Sequence, residues 1–433
     1  MMSNMAPSPT RGFLPRRAAE RVEQALQDTR VVLINGARQS GKSTLARRIG
    51  RDTKASWYTL DDAATRHHAA NDPTGFVALD ERMIIDEIQR EPDLLLAIKT
   101  LVDENPTPGR FLLTGSARIL GLRAVPDTLP GRIETIELWP FSQGEIDGRG
   151  DGFVDAAFCR GAELRHESAV SRDEYIERIV RGGFPDAIGR SDRRRTDYLV
   201  EYLGNLVNRD VFQLSGIERV PQMRALVTTL AARSGHTIAP ARIGASLGLD
   251  HKTVARYLGL LEELFLIKRV SPWTRRISAR ATGQSKVAFV DSGVAAAMVG
   301  QGAARLRKPG APLGGLLEGF VAMEIARQLS WSHVDATMSH YHTKDQVEVD
   351  IVLENRLGQV VGIEVKASST PTPEDYRGLR HLADRVGEDF LAGYVLHTGA
   401  RTLSAGPRMR AVPIAALWEI DPPGVGESPD SGR

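Results

Sequence analysis

Short apolar runs alternate with amphipathic stretches through the first third of the chain. Three such runs lie at residues 31–34, 82–85 and 111–113, and the stretches between them have helical spacing. A short, continuously apolar run is typical of a strand that is buried on both faces of a parallel sheet. Buried strands that alternate with helices predict an α/β unit with a parallel sheet, which we place at residues 15–145.

The next stretch, residues 146–225, has a weaker pattern. It is polar and irregular as far as about Gly182. Three consecutive arginines at 193–195 then open a long helical pattern that continues through Leu206. We interpret these arginines as the solvated start of a helix rather than as a binding patch. The whole stretch is predicted to be a helical lid or connector.

Residues 226–275 carry two helical patterns joined by a tight turn. The helices are predicted at 241–247 and 251–264, and a strand follows at 266–270. On the second helix, four apolar residues recur at helical spacing and predict one buried face. These residues are Val254, Tyr257, Leu258 and Leu261. Helix, turn, helix and strand in this order predict a winged helix-turn-helix.

A third α/β domain is predicted at residues 276–420. Its helix at 316–329 is followed by strands at 347–353 and 360–366, with a glycine-containing turn between the strands. The remaining residues, 421–433, are rich in proline, glycine and serine and are predicted to be disordered. The chain therefore has the pattern of a multidomain α/β protein.

Composition narrows the classes of protein that fit. The 433 residues are 42% apolar and 25% charged, which is typical of a globular protein in water. The formal net charge of +2 excludes a strongly basic tail-like binder and an acidic disordered protein. Cys159 is the only cysteine, which excludes an intramolecular disulfide and a cysteine-based zinc site. Nine of the 56 basic residues are lysines, so each lysine is more informative than an arginine.

The sequence also bears on the compartment of the protein. Residues 1–17 lack the apolar stretch of a signal peptide. No run in the sequence approaches the roughly 18 apolar residues that a membrane-spanning helix needs. We therefore expect a cytoplasmic protein without membrane association.

The loop after the first apolar run matches the pattern G-x-x-x-x-G-K-[S/T]. Its glycines let backbone N–H groups approach a phosphate, and the helix behind the loop adds the positive end of its dipole. Lys42 would reach the β- and γ-phosphates, and the Ser43 hydroxyl would bind Mg²⁺. The predicted nucleotide-binding residues are Gly36, Ala37, Arg38, Gln39, Ser40, Gly41, Lys42, Ser43, Thr44 and Asp86.

Polar residues also follow the next two apolar runs. Asp86 would hold Mg²⁺ through water, and Glu87 would polarise a water against the γ-phosphate, so hydrolysis is predicted. The third run ends in Thr-Gly-Ser, and we expect Thr114 or Ser116 to sense the γ-phosphate or the attacking water. Arg132, in a Leu-Pro-Gly-Arg segment, is a candidate arginine finger in cis or from a neighbouring molecule.

Taken together, these motifs resemble one family, an AAA-type group of prokaryotic ATPases that is largely uncharacterised. The similar segments are the loop at 36–43, Ile-Ile-Asp-Glu-Ile-Gln at 84–89, Leu-Leu-Thr-Gly-Ser-Ala at 112–117 and Leu-Pro-Gly-Arg at 129–132. Gly-Gly-Phe-Pro at 182–185 and residues 287–298 resemble the C-terminal region of that family, whose function is unknown. The resemblance covers residues 15–420 and implies ATP rather than GTP as the nucleotide.

Two carboxylates and a lysine stand out in the third predicted domain. Strand alternation puts Glu364 and Lys366 on one face, and a short turn brings Asp350 alongside. Neighbouring carboxylates repel unless a cation joins them, so we predict Mg²⁺ here, with Glu318 of the preceding helix as a further ligand. Lys366 would orient or activate a hydrolytic water. The arrangement resembles the PD-(D/E)xK nuclease core and implies a restriction-endonuclease-like fold; a surface hairpin with a Glu–Lys ion pair is the alternative.

The predicted winged helix offers a surface for nucleic acid. Lys252, Thr253 and Arg256 lie off the buried face, where a recognition helix would meet a major groove. Arg275 and Arg276 follow the predicted wing and could contact phosphates. A winged helix that serves only for packing is the alternative.

The sequence therefore predicts an ATPase with ATP and Mg²⁺ as cofactors. Its nucleotide cycle would control a winged-helix and nuclease-like region that acts on DNA or RNA. A function of a different class fits the same motifs, namely an ATP-dependent regulatory or protein-interaction switch whose C-terminal domain is catalytically silent. The sequence leaves the substrate, the protein partners and the oligomeric state open.

Overall fold

In the computed structural model, the chain divides into two units, each built around its own sheet. The first unit comprises residues 15–140 together with 261–266. The second comprises the described residues among 13–14, 141–260 and 267–424. The residues that the structure describes are 13–116, 129–210, 220–275, 280 and 283–424.

Helices and strands alternate in the first unit. They are α1 (Ala18–Asp28), β1 (Val31–Asn35), α2 (Lys42–Thr53), β2 (Ser56–Thr59), α3 (Ala63–Asn71), α4 (Pro73–Val77), β3 (Met83–Asp86), α5 (Leu94–Glu104), β4 (Phe111–Gly115) and β5 (Ile133–Glu137). The strands pair in parallel, in the order β2-β3-β4-β1-β5. The predicted α/β unit with a parallel sheet is thus confirmed.

The central strand β1 shows why the apolar runs are continuous. Each of its five residues is buried. Val31 and Leu33 pack into one apolar core, which also contains Ile98 of α5. Val32 and Ile34 pack into a second core, on the side of α1 and α2. Because alternate side chains of a strand point to opposite faces, helices bury β1 on both sides, and its first four residues are all apolar.

The second unit begins with helices and continues with a sheet. The helices before the sheet are α6 (Gln143–Asp147), α7 (Phe153–Arg160), α8 (Arg172–Arg181), α9 (Pro185–Ile188), α10 (Asp192–Asn205), α11 (Val220–Ala232), α12 (Pro240–Leu247) and α13 (His251–Glu263). The later elements are β6 (Ile267–Pro272), β7 (Lys286–Phe289), α14 (Ser292–Met298), α15 (Ala303–Leu306), α16 (Leu313–Gln328), β8 (Ala336–His342), β9 (Glu348–Asn355), β10 (Val360–Lys366), α17 (Arg377–Val386), β11 (Phe390–His397), β12 (Leu403–Ser404), β13 (Met409–Pro413) and α18 (Ala416–Glu419).

The sheet of the second unit has the strand order β12-β13-β11-β10-β9-β8-β6-β7. Strands β8, β9 and β10 form an antiparallel meander, and β11 and β13 continue the sheet in parallel with β10. Helix α17 connects β10 to β11, as a parallel pair requires a crossover. The helices predicted at 241–247, 251–264 and 316–329 are confirmed as α12, α13 and α16, and the strands predicted at 347–353 and 360–366 as β9 and β10.

One stretch differs from its prediction. The sequence up to Gly182 was expected to be irregular, but it contains α6, α7 and α8. These helices have five, eight and ten residues, too few for a clear repeat of apolar positions. Capping boxes at Ser142 and Ser171 begin α6 and α8, and this Ser-x-x-Glu pattern was the available sequence signal.

The division of the second unit into a connector, a winged helix-turn-helix and a C-terminal domain, with boundaries at 145, 225 and 275, stays a prediction. Most of the tail predicted to be disordered, from residue 425 onward, lies outside the described residues. In the part of the chain that the structure describes, no helix combines the length and the apolar character needed to cross a membrane.

Candidate functional site

The loop between β1 and α2 depends on two glycines for its shape. A Cβ atom at Gly36 would collide with the carbonyl oxygen of Leu138, so no larger residue fits there. Gly41, which directly precedes α2, has a φ of 96°, in the left-handed region that favours glycine. Both glycines of the motif are therefore required by the backbone.

Lys42 is the first residue of α2, and its side chain is buried inside this loop. Its Nζ donates hydrogen bonds to the carbonyl oxygens of Gly36, at 3.0 Å, and Ala37, at 2.8 Å. Burial lowers the pKa of Lys42 to about 8, although the carboxylates of Glu87 and Asp86 act in the opposite direction. Lys42 is thus a buried amine held by neutral carbonyl groups.

The remaining loop side chains differ in exposure. Ala37 and Ser40 are buried, and Arg38, Gln39 and Thr44 are exposed. The Ser40 hydroxyl has no hydrogen-bond partner among the described residues. A buried polar atom without a partner is uncommon in proteins, and here it lies in a loop whose motif binds phosphate. The loop therefore fits an anionic ligand.

Arg16 holds the loop through two hydrogen bonds, and the sequence did not indicate it as a site residue. Its guanidinium donates to the carbonyl oxygen of Ser40 at 2.7 Å and to that of Trp139 at 2.5 Å. Both contacts are buried. The sequence around Arg16 carries no motif, and one arginine among many gives no signal. The structure alone identifies it as a residue that positions the loop.

Asp86, at the end of β3, accepts hydrogen bonds from hydroxyl groups on three elements. Ser43 donates to Asp86 Oδ1 at 2.7 Å, and Thr114 donates to the same oxygen at 2.6 Å. Thr59 donates to Asp86 Oδ2 at 3.3 Å. A serine hydroxyl beside a carboxylate is the oxygen-rich surrounding that Mg²⁺ prefers, so Ser43 and Asp86 fit a Mg²⁺ ion that arrives with a nucleotide.

Glu87 is held in a defined position next to Asp86. Its φ is 60°, an uncommon backbone conformation for a residue other than glycine. Its Oε2 accepts hydrogen bonds from the Ser116 hydroxyl, at 2.7 Å, and from the side-chain amide of Gln89. Its backbone N–H donates to the Thr114 hydroxyl at 3.1 Å. Gln89 was not predicted as a site residue, although it belongs to the Ile-Ile-Asp-Glu-Ile-Gln segment.

Arg132 does not lie with these residues, which corrects the predicted finger in cis. It directly precedes β5, and its carbonyl accepts from the N–H of Val31 at the start of β1. Since β1 and β5 are parallel, Arg132 lies at the amino ends of these strands, whereas the loop lies at the carboxyl end of β1. The five residues of β1 separate the two ends by about 16 Å. Its guanidinium is paired with Asp103. A role toward a neighbouring molecule stays a prediction.

The helix pair α12 and α13 presents the predicted polar face. The four apolar residues predicted to form the buried face of α13 are buried, whereas Lys252 and Arg256 are exposed. The Thr253 hydroxyl donates to Asp250 Oδ2 at 2.6 Å at the start of the helix. Arg275 donates to the carbonyl oxygen of Val386 at 2.8 Å, so its side chain packs on the second unit. Arg276 lies outside the described residues.

The predicted carboxylates of the second unit come together as expected. Val365 N–H donates to Asp350 Oδ2 at 2.9 Å, which ties β9 to β10. Lys366 donates to Glu364 Oε1 at 2.9 Å. Burial, followed by the charge of Asp350, raises the pKa of Glu364 to about 7 and that of Glu318 to about 8. The predicted pairing of Glu364 and Lys366 beside Asp350 is therefore present.

A second lysine changes the interpretation of this cluster. Nζ of Lys286, on β7, lies 2.7 Å from Asp350 Oδ1 and 3.9 Å from Glu318 Oε2. The predicted Mg²⁺ site at Glu318, Asp350 and Glu364 therefore contains a lysine that the sequence did not predict, and the site stays a prediction. Among the described residues, no group of three histidine, cysteine, aspartate or glutamate side chains is arranged to hold a metal.

Comparison with known protein families divides the chain into three matched segments. Residues 28–147 match an AAA domain, and residues 313–417 match a domain of unknown function (DUF4143). Residues 172–305 match a second domain of unknown function (DUF8612). The AAA match contains the loop with Lys42 and the strand that ends in Asp86, and the site described above is therefore the phosphate-binding loop of a P-loop NTPase fold.

Similar proteins match this chain over much of their length. An uncharacterised protein of Mycobacterium tuberculosis is 28% identical over 360 residues, which cover 82% of this chain and 75% of that protein. An uncharacterised protein of Haemophilus influenzae is 22% identical over 288 residues, 65% of each chain. Among solved structures, the Walker-type ATPase of Pyrococcus abyssi aligns with a TM-score of 0.43 at 12% identity, over 68% of this chain and 99% of that one. The chain thus combines an AAA domain with a C-terminal domain of unknown function, a combination that supports an AAA-type ATPase family.

Proposed function

We propose that the first unit binds ATP with Mg²⁺ and hydrolyses it. The observation that carries this proposal is the meeting of Lys42, Ser43, Asp86 and Glu87 at the carboxyl ends of β1 and β3. Ligands of parallel α/β sheets bind at this edge. A Mg²⁺ ion held by Ser43 and Asp86 would neutralise charge on the β- and γ-phosphates.

The side chains of the site divide the work of hydrolysis. The loop amides and Lys42 hold the phosphates, and Lys42 exchanges its two carbonyl partners for phosphate oxygens. Glu87 orients a water toward the γ-phosphorus and accepts its proton at Oε2. The oxygen–phosphorus bond to ADP breaks as the water oxygen bonds to phosphorus. Ser116 and Gln89, which donate to Oε2, have to yield that oxygen to the water.

We further propose that the second unit acts on nucleic acid under control of this cycle. The exposed Lys252 and Arg256 on α13, after the tight turn from α12, support a winged-helix interface. The order of α16, β8, β9, β10, α17 and β11, with Asp350 and Glu364 on adjacent strands, supports a PD-(D/E)xK-like fold. Phosphate contacts from the basic side chains would make binding depend on salt.

One observation favours a second candidate function. Lys286 forms an ion pair with Asp350, which is one of the predicted metal ligands. This ion pair supports the alternative function, an ATP-dependent switch. In such a switch the C-terminal domain would bind a partner and catalyse no reaction.

Phosphate release from ATP tests the first proposal. The purified chain with Mg²⁺ should release phosphate, and Lys42→Ala should lower the rate by about 100-fold or more. Lys54→Ala removes an exposed lysine just after α2 and should keep the wild-type rate. Equal rates for wild type and Lys42→Ala would contradict the assignment of the loop.

Fluorescence anisotropy with labelled single- and double-stranded DNA and RNA tests the second proposal. The double variant Lys252→Glu/Arg256→Glu should weaken binding by at least about tenfold and reduce its salt dependence. A matched variant, Arg194→Glu/Lys308→Glu, changes exposed basic residues elsewhere in the second unit and should bind like the wild type. If neither DNA nor RNA binds at low salt, the protein-switch function is the one that remains.

A further inference from the structure

Three carboxylates of the second unit lie near enough to one another for their charges to repel. They belong to Glu318 on α16, Asp350 on β9 and Glu364 on β10. Like charges this close destabilise one another unless a cation lies among them. The chain supplies two ammonium groups here, those of Lys366 and Lys286. Lys366 was anticipated from the sequence, and Lys286 comes from a strand that no motif connects to this site.

We propose that Lys286 is the resident cation of this cluster and closes it to divalent metal ions. Its Nζ lies between Asp350 and Glu318, at 2.7 Å and 3.9 Å from their nearer oxygens. A Mg²⁺ or Mn²⁺ ion bound to Asp350 would lie about 2.1 Å from a carboxylate oxygen. The ion and the ammonium group would therefore compete for one place.

The backbone keeps Lys286 at this place. Lys286 pairs with Val270 in the antiparallel ladder of β6 and β7 and also bridges to Thr237. Its side chain is 9% exposed. The second oxygen of Asp350 accepts from the N–H of Val365, so the partner carboxylate is fixed as well. A buried lysine on a paired strand, bonded to a fixed carboxylate, cannot move aside without breaking a buried ion pair.

The consequence is a nuclease-like arrangement that does not recruit a metal. The second unit would bind nucleic acid or a protein without cleaving phosphodiester bonds, since Lys286 replaces the metal at Asp350. This inference goes beyond ATP hydrolysis and does not depend on it, because the phosphate-binding loop belongs to the other unit.

Calorimetric titration of MnCl₂ into the full chain, freed of metal with EDTA and kept without nucleotide, tests the proposal. The wild type and Asp350→Asn should give the same titration curve. Lys286→Met should gain a Mn²⁺ site at least about tenfold tighter than any in the wild type. Adding Asp350→Asn to Lys286→Met should remove that site.

Two control variants separate charge from mere substitution. Lys286→Arg keeps a cation and should bind Mn²⁺ no better than the wild type. Lys308→Met removes an exposed lysine elsewhere in the second unit and should also match the wild type.

Two results would overturn the proposal. One is Mn²⁺ binding by the wild type that disappears in Asp350→Asn. The other is a Lys286→Met variant that folds, as judged by circular dichroism and thermal unfolding, and gains no Mn²⁺ site. If Lys286→Met does not fold, the comparison of wild type with Asp350→Asn decides alone. Phosphate release measured in parallel shows separately whether the proposed ATPase function holds.

Discussion

The protonation of Lys42 should make ATP binding depend on pH. Burial lowers the pKa of Lys42 to about 8, with Glu87 and Asp86 acting to raise it and Arg38 to lower it. The phosphates of ATP favour the charged amine, so binding takes up a proton wherever free Lys42 is neutral. With a pKa of about 8, Lys42 is about 90% charged near pH 7 and about 10% charged near pH 9. If only the charged form binds, affinity falls about tenfold over this range, which is about 1.4 kcal/mol.

Titration calorimetry with a non-hydrolysable ATP analogue and excess Mg²⁺ measures this effect. Affinity should be constant below about pH 7.5 and fall steadily above about pH 8, with about half a proton taken up per ATP near pH 8. Buffers of different ionisation enthalpy report that uptake. Lys42→Arg keeps its charge throughout and should lose the pH dependence, even if it binds more weakly. A wild-type affinity that stays constant up to about pH 9 would refute the reasoning about Lys42.

Three further variants test the rest of the first unit. Arg16→Ala removes two buried hydrogen bonds to carbonyl oxygens, so it should lower the free energy of unfolding in urea by about 2 kcal/mol and weaken ATP binding. Arg51→Ala changes an exposed arginine of the same unit and should do neither. Glu87→Gln should lower kcat by about 100-fold or more and leave the affinity for ATP unchanged. A loss of ATP affinity as large as the loss of rate would argue against Glu87 as a general base. Arg132→Ala should leave ATP turnover of the dilute protein unchanged, since Arg132 lies at the end of the strands opposite to the loop. A large loss of turnover in the dilute protein would mean that Arg132 acts in cis.

The first unit was predictable because its signals are local. A strand buried on both faces is apolar over most of its length, as β1 is from Val31 to Ile34. The phosphate loop needs glycine where Leu138 and the left-handed turn leave no alternative. Residues 141–182 gave no such signal, because their helices are short and partly polar. Their buried residues contact elements far away in the sequence, for example where Ala415 N–H donates to Tyr175. Long-range packing of this kind leaves no period in the chain.

The residues of the two sites were likewise predictable only where the signal in the sequence is local. Asp86 and Glu87 follow a strand and share a motif with the loop, so their association could be predicted. The roles of Arg16 and Lys286 could not be predicted, because each residue contacts partners that are distant in sequence. Arg16 donates to the carbonyl oxygens of Ser40 and Trp139, and Lys286 donates to Asp350. A residue of common type without a motif becomes visible as part of a site only when the fold has brought its partners together.

Lys42 and Lys286 show how the charge of a site indicates whether it needs a ligand. Both are buried, with 5% and 7% of their surface exposed. Burial acts to lower the pKa of each, and for Lys42 it prevails. For Lys286 the carboxylates of Asp350 and Glu318 outweigh burial and raise the pKa. Since the residue type and the burial are alike, the difference reflects how far the surrounding charge is already balanced. The carboxylates near Lys42 do not outweigh its burial, and the phosphates of ATP would add negative charge beside it. The cluster around Lys286 is balanced by the chain itself, and for that reason we expect nucleotide chemistry in the first unit and binding without a metal in the second.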